Sequence, residues 1–141
     1  MTADRPPVEP IDLASLPDPI RLAFERLMAA ALAYPDAYED RPWGDTVVKV
    51  RGKIFLFIGV GPDGLSLSTK LPRSADDVLA LPFTQPTRYG LHRSGWVTSR
   101  FGRDDEPPVE LLAAWLDESY RAVAPRRLLA ANGLEPVARE R

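Results

Sequence analysis

The stretch at residues 45–71 constrains the fold more than any other part of the chain, because it reads as three strands in direct succession, DTVVKVRGKIFLFIGVGPDGLSLSTKL. β-Branched, aromatic and leucine residues fill the three runs, and glycine-containing turns at Arg51-Gly52 and at 61–64 separate them. Such runs are typical of an antiparallel meander. The middle run, 54–58, is the most apolar segment of the chain, so we expect it at the centre of the sheet.

The sequence does not decide which face of the middle strand points to the core. If Arg51-Gly52 forms a two-residue turn, strict alternation gives two sets of side chains. One set is Val48, Val50, Phe55 and Phe57, and the other is Ile54, Leu56 and Ile58 with Val47 and Lys49. Both sets are largely apolar. Either both faces are covered, or the face with Ile54, Leu56 and Ile58 is a surface for a partner.

Helices are predicted on both sides of the meander. Apolar residues recur at helical spacing over 19–33 and 108–123, and each segment has a proline near its start. Shorter apolar segments that are bounded by proline predict further helices at 73–81 and 125–131.

A second hairpin is predicted after the meander. Strands at 87–92 and 96–101 would flank a turn at 93–95. Residues 35–44 are expected to form a loop in which Trp43 plugs one end of the sheet.

Runs of strands and helices segregate along the chain, which predicts an α+β fold. We expect a two-layer sandwich whose antiparallel sheet has about five strands, the meander of three plus the hairpin, with helices packed mainly on one face. The length fits one domain, which we place at 18–133. A flexible proline-rich arm at 1–17 would precede this domain, and a frayed tail at 134–141 would follow it.

Most of the residues that catalytic and metal chemistry needs are missing. Cysteine is absent and His92 is the only histidine, so neither a zinc site nor a serine–histidine–acid triad is expected. Acidic runs at 76–77 and 104–106 lie at predicted helix starts, where the helix dipole explains them. The glycine run at 59–64 lacks the lysine of a phosphate-binding loop. We therefore expect no enzyme activity, no metal and no cofactor.

Nothing in the sequence points to a membrane. No apolar run reaches the roughly 18 residues that a transmembrane helix needs. The N-terminal sequence MTADRPPVEP lacks the basic and apolar regions of a signal peptide. The expected location is the cytoplasm, with no membrane contact.

The net charge of −2 hides an uneven distribution. Residues 1–42 carry four basic and eight acidic residues, and residues 104–141 carry five and eight. Residues 43–103, which contain all the predicted strands, carry nine basic and four acidic residues. A basic segment in an acidic chain suits polyanion binding, although mutual neutralisation of elements within one fold gives the same pattern.

Basic residues concentrate around the two predicted hairpins and after the third strand. They are Lys49, Arg51 and Lys53 at the first hairpin, Arg88, Arg93 and Arg100 in the second, and Lys70. Two basic hairpins can act as wings that lay lysine and arginine on phosphates, with Trp43 and Trp96 as supporting aromatic residues. The alternative is a pair of solvated hairpins whose charges protect the sheet edges.

Four blocks, taken in order, carry a resemblance to a known family. They are KVRGKIF at 49–55, LSLSTK at 65–70, RSGWV at 93–97, and LL followed by SYRAVAPR within 111–126. In order and spacing these blocks resemble the MmcQ/YjbR family of small bacterial proteins over about residues 20–130. The lysines of the family hairpin match Lys49 and Lys53, and the family lysine after the third strand matches Lys70.

The resemblance implies a frataxin-like (CyaY-like) fold and DNA binding through a double wing, with no catalytic signature to carry over. The main hypothesis is therefore a non-catalytic DNA-binding protein whose partner is DNA. The alternative is a protein interaction module or a homodimer that uses the apolar face with Ile54, Leu56 and Ile58 and has no nucleic-acid role. An enzyme or a small-ligand protein ranks last.

Overall fold

The computed structural model describes residues 13–42 and 46–137. In these two ranges the chain forms six strands: β1 Ala37–Asp40, β2 Thr46–Val50, β3 Lys53–Gly61, β4 Gly64–Lys70, β5 Thr84–Pro86 and β6 Trp96–Gly102. It also forms four α-helices: α1 Asp18–Leu32, α2 Ala75–Val78, α3 Val109–Val123 and α4 Arg126–Ala131. Short 3₁₀ helices lie at Leu13–Ser15 and Leu91–Ser94.

The strands form one antiparallel sheet in the order β1-β2-β3-β4-β6-β5. Helices α1 and α3 pack against β3 and β4, and Val78 of α2 joins the same core. The expected α+β architecture is confirmed, and so is the meander of β2, β3 and β4 with β3 near the centre of the sheet. The sheet has six strands rather than about five, because β1 adds an edge.

Strand β1 occupies part of the segment 35–44 for which the sequence predicts a loop. Alanine, glutamate and aspartate are depleted in strands, so its sequence AYED gives little local signal. The strand forms because its backbone pairs with β2, from Ala37 opposite Val50 to Asp40 opposite Val47. The prediction that Trp43 plugs one end of the sheet falls outside the described residues.

The first strand of the second hairpin is shorter and earlier in the chain than predicted. Strand β5 ends at Pro86, and residues 87–95 form a turn and a 3₁₀ helix. Pro86 has no N–H to continue the ladder, and Gly90 and Gly95 adopt left-handed φ angles of 78° and 90° that end the extended run. A Cβ on Gly95 would lie 2.9 Å from the Cα of Pro72, so the close approach of these segments also needs glycine.

A β-bulge in β3 determines which side chains enter the core. Val48 pairs with Leu56, but the next residue, Lys49, pairs with Ile54, so Phe55 is an extra residue on β3. Such a residue interrupts the strict alternation of faces. Phe55 and Leu56 are consecutive in sequence, and both are fully buried in the core.

The covered face of β3 therefore takes residues from both sets that strict alternation predicts. Leu56 and Ile58 lie in the core together with Phe55 from the other set. The postulated partner surface of Ile54, Leu56 and Ile58 is not an exposed face, since Leu56 is 0% and Ile58 3% exposed. The bulge, which the sequence does not reveal, is the reason.

Aromatic side chains join the sheet to the helices at the bulge. The ring of Phe55 meets Tyr120 edge-on at a centroid distance of 5.1 Å, and Tyr120 stacks on Tyr34 at 4.4 Å. Burial, followed by the hydrogen bond that the Tyr34 hydroxyl donates to Asp117 (2.7 Å), raises the pKa of the Tyr34 phenol. The Tyr120 hydroxyl donates to the carbonyl of Pro35. The buried ring of Tyr120 and the half-buried ring of Tyr34 thus keep their polar ends partnered.

Residues near the two outer ends of the described part of the chain contact the core. Leu16 is buried and Leu13 packs against the core before α1 begins. Leu134 packs against the same core after α4. The remainder of the predicted arm and tail, residues 1–12 and 138–141, lies outside the described residues.

Ser119 of α3 bridges the two layers beside the bulge. Its hydroxyl donates to the carbonyl of Phe55 at 2.6 Å and accepts from the N–H of Lys70 at 2.8 Å. The side chain is fully buried, so a single hydroxyl satisfies two backbone groups that belong to neighbouring strands.

We expect Ser119→Ala to lower the free energy of unfolding by about 2 kcal/mol, because it leaves a buried carbonyl and an N–H without a partner. Urea denaturation followed by circular dichroism measures the change. Ser94→Ala is the matched control at an exposed serine and should change the free energy by less than about 0.5 kcal/mol. Equal stabilities of the two variants would contradict the bridging role of Ser119.

Candidate nucleic-acid interface

Two connections project from the same end of the sheet. The last residue of β4, Lys70, pairs with the first residue of β6, Trp96. The turn Arg51-Gly52 leads into β3 and residues 87–95 lead into β6, and β3 and β6 are the two neighbours of β4. We call these the first and the second connection. Lys70 lies between them, and the second connection is a broad loop and not the tight hairpin that the sequence predicts.

Four of the predicted site residues lie at this end of the sheet and make no ion pair with another described residue. Lys53, Arg88 and Arg93 are exposed, and Lys70 is half-buried. We call this set the basic end. Its members come from β3, β4 and the second connection, so the fold assembles them from three separate stretches of sequence.

Arg100 lies apart from the basic end. It pairs with Ser66 in the middle of β4, four register positions from the pair of Lys70 with Trp96. Four residues of strand span about 13 Å. Arg100 is exposed, and it is closer to the turn between β3 and β4 than to either connection. The structure therefore does not group this predicted residue with the others.

The two cations of the first hairpin other than Lys53 are paired with carboxylates. Lys49 Nζ lies 2.7 Å from Asp40 Oδ2, and Arg51 Nε donates to Asp36 Oδ2 at 2.7 Å. The hydrogen bond from Lys49, together with one from the Arg41 N–H, lowers the pKa of Asp40. The same hydrogen bond with Asp40 raises the pKa of Lys49. Both acids come from β1 and the turn before it, the element that the sequence does not predict.

A groove of about 520 Å³ opens beside Lys70, between the second connection, α2 and the junction of α3 with α4. Its walls carry four cations, Lys70, Arg93, Arg121 and Arg126, and one carboxylate, Asp76. We call this the basic groove. It joins two of the predicted residues to two that the sequence pattern does not single out, and it gives the basic end a concave surface.

Arg121 and Arg126 reach the groove through helix packing. Arg121 Nε donates to Asp117 Oδ2 at 2.8 Å and Nη1 donates to the carbonyl of Glu135, which holds the guanidinium in place. Arg126 is exposed at the start of α4. Both arginines belong to the SYRAVAPR block at 119–126, but that block indicates only a helix end followed by a proline. Their approach to the second connection depends on contacts that are distant in sequence.

Trp96 supports the second connection from the sheet face opposite the helices. Its ring meets Phe57 edge-on at a centroid distance of 5.4 Å, and only 7% of the residue is exposed. The carbonyl of Trp96 accepts the N–H of Thr87 at the start of the connection. Trp43, the other aromatic residue expected to support the site, lies outside the described residues.

Metal ligands do not cluster in the part of the chain that the structure describes, where no three histidine, cysteine or acidic residues are placed to hold an ion together. His92 is exposed and lies on the rim of the basic groove. None of the helices in the described ranges has the length and apolarity that a membrane span requires.

Comparison with known proteins finds a family model and a solved structure that resemble this chain. A family model described as YjbR matches residues 32–122, which is more than half of the chain. No curated protein matches the chain. The crystal structure of protein DR2400 from Deinococcus radiodurans, with the domain DUF419, is similar at 25% identity and a TM-score of 0.64, over 82% of this chain and 91% of that one. A protein from Pseudomonas syringae matches at 15% identity and a TM-score of 0.46, over 65% of this chain and 93% of that one.

We expect the Asp40 carboxyl to titrate below the ordinary aspartate range, and Lys49→Gln to raise its pKa, because the hydrogen bond from Lys49 is the main cause of the shift. A depressed folded-state pKa means that the pair stabilises the fold above the unfolded-state pKa and that this stabilisation is lost as the pH falls through the folded-state pKa. Carboxyl-detected NMR titration measures the pKa.

Lys53→Gln is the control, since it removes a lysine of the same hairpin that makes no described ion pair and should leave the Asp40 pKa unchanged. An ordinary pKa for Asp40 in the unmodified protein, or the same change in both variants, would contradict the pairing of Lys49 with Asp40.

Proposed function

Because the chain belongs to the YjbR family, we propose that it is a non-catalytic protein that binds the phosphate backbone of DNA at the basic end of the sheet. The residues that match the family, 32–122, include both connections and Lys70. The resemblance to the MmcQ/YjbR family implies this role, and the charge distribution at the basic end supports it on separate grounds.

The basic groove is the observation that carries the proposal. Four cations and one carboxylate line it, in a chain whose net charge is −2, and three of these cations make no ion pair with a described residue, whereas Arg121 is paired with Asp117. Cations that a fold brings together repel one another, so such a cluster is unfavourable unless an anion binds there. Lysine and arginine donate charge-assisted hydrogen bonds to phosphate oxygens, and arginine can use two parallel N–H groups. A phosphate group therefore suits this groove.

Contacts of this kind position a nucleic acid without reading its sequence. The two connections would follow the backbone on either side of Lys70, with Lys53 on one side and Arg93 on the other. Lys49 and Arg51 would contribute less, because each is already paired with a carboxylate. The proposal therefore predicts affinity that depends strongly on salt and weakly on base sequence.

We expect the protein to bind a labelled DNA duplex with an affinity that falls steeply between about 50 and 200 mM salt, since each phosphate contact adds about −0.9 to the logarithmic salt slope. Arg93→Glu should weaken binding at least tenfold and make the slope shallower. Arg100→Glu makes the same charge change outside the basic end and should have a much smaller effect. Fluorescence anisotropy measures both quantities.

Absence of binding to any DNA, duplex or single-stranded, at the lowest salt would contradict the proposal. Equal losses of affinity in the Arg93 and Arg100 variants would show that the contacts are not confined to the basic end.

Asp36→Asn should strengthen duplex binding, because it releases Arg51 from its ion pair while asparagine tolerates the left-handed φ of 61° at this position. The expected gain is up to one phosphate contact, which would make the salt slope steeper by about 0.9. Asp63→Asn, at the turn between β3 and β4, makes the same charge change at the opposite end of the sheet and serves as the control. Equal gains in both variants would indicate a non-specific effect of net charge.

A further inference from the structure

We propose that Tyr89 is a stacking platform for an unpaired nucleobase, so that the nucleic acid held at the basic end is single-stranded where it meets the second connection. This inference rests on the proposed function and extends it by naming the form of nucleic acid and the residue that selects it. It depends on three observations: the exposure of Tyr89, its backbone conformation and its charged neighbours.

Tyr89 is exposed to an unusual degree. Its exposed fraction is 95%, whereas the next most exposed large apolar side chain among the described residues, Leu22, reaches 46%. The other described tyrosines differ: Tyr34 and Tyr120 stack on each other in the core, and Tyr38 is less than half exposed on β1. A ring of this size that contacts almost nothing leaves its two faces free for a ligand.

The backbone at Tyr89 does not favour tyrosine. Tyr89 and Gly90 have φ angles of 63° and 78°, and the Leu91 N–H donates to the carbonyl of Arg88. Positive φ at both central residues is the pattern of a type I′ turn, in which glycine, asparagine or aspartate is preferred at the position that Tyr89 occupies. The turn would form more easily without the ring, so neither packing nor turn geometry accounts for a tyrosine here.

Charged neighbours place the ring beside proposed phosphate contacts. Arg88 and Arg93 flank Tyr89 in the same connection, are exposed, and make no ion pair with another described residue. Proteins that bind single strands combine cationic side chains for the backbone with aromatic rings on which bases stack. In a duplex the base faces are already stacked on one another, so an exposed ring at a loop tip has no free base face to meet.

The test compares a labelled thymidine oligonucleotide of about 12 nucleotides with an abasic strand of the same length and charge, by fluorescence anisotropy. Tyr89→Asn removes the ring and keeps a residue that suits the turn, and Tyr89→Phe keeps the ring. We expect Tyr89→Asn to lose about tenfold in affinity for the thymidine strand and Tyr89→Phe to bind like the unmodified protein. On the abasic strand all three should bind equally, with the same salt slope on both strands.

Each other outcome has a separate meaning. If the unmodified protein binds neither strand nor a duplex, the proposed function fails, and this inference fails with it. If it binds both strands and Tyr89→Asn binds the thymidine strand as tightly as the unmodified protein, only the stacking role is overturned. An equal loss for a duplex would overturn the single-strand assignment and indicate a wedge between base pairs. A melting temperature of Tyr89→Asn at or above that of the unmodified protein is also expected, and a lower one would assign the ring to folding.

Discussion

The hydrogen bonds of Ser119 at the bulge of β3 are the contact on which the arrangement of the two layers depends. A bulge leaves backbone groups outside the ladder, and a buried carbonyl needs a partner. The buried hydroxyl of Ser119 supplies one to Phe55. The bulge also places Phe55 and Leu56 on the same side of the strand, so two consecutive large side chains enter the core. A regular strand would send one of them to the opposite face and weaken the contact between the sheet and the helices.

The same part of α3 also builds the walls of the basic groove. Ser119 accepts the N–H of Lys70, which fixes the end of β4 against α3. The preceding residue, Glu118, accepts the N–H groups of Arg73 and Ser74 and the hydroxyl of Ser74, which ties the start of α2 to the same helix. Arg121, two residues after Ser119, lines the groove. The geometry of a surface site thus follows from the contacts of one helical turn.

Local patterns in the sequence predict the helices and the meander strands, but they do not predict the bulge in β3 or strand β1. Apolar periodicity and proline positions predict the three meander strands and all four helices within a few residues, because each pattern is contained in its own segment. The bulge at Phe55 and strand β1 are invisible locally, since one is compensated by a helix far along the chain and the other forms only by pairing with β2. The site residues likewise divide into those that local sequence indicates and those that only tertiary packing reveals. The basic residues of the connections stand out as charges near turns, whereas Arg121 and Arg126 look like an ordinary helix end until tertiary packing brings them to Lys70.

The basic hairpins have two interpretations, phosphate binding and protection of the sheet edges. Each applies to a different part of the site. At the first connection the cations of Lys49 and Arg51 are neutralised by Asp40 and Asp36, and β1 covers an edge that would otherwise expose β2. Neutralisation within the fold and protection of a sheet edge account for these charges without any ligand. At the second connection no described carboxylate neutralises the basic residues, and these residues adjoin a groove that is lined by further basic side chains. A polyanion would therefore gain most from the second connection and the groove, and the proposed binding surface would be one-sided even though the two connections flank β4 symmetrically.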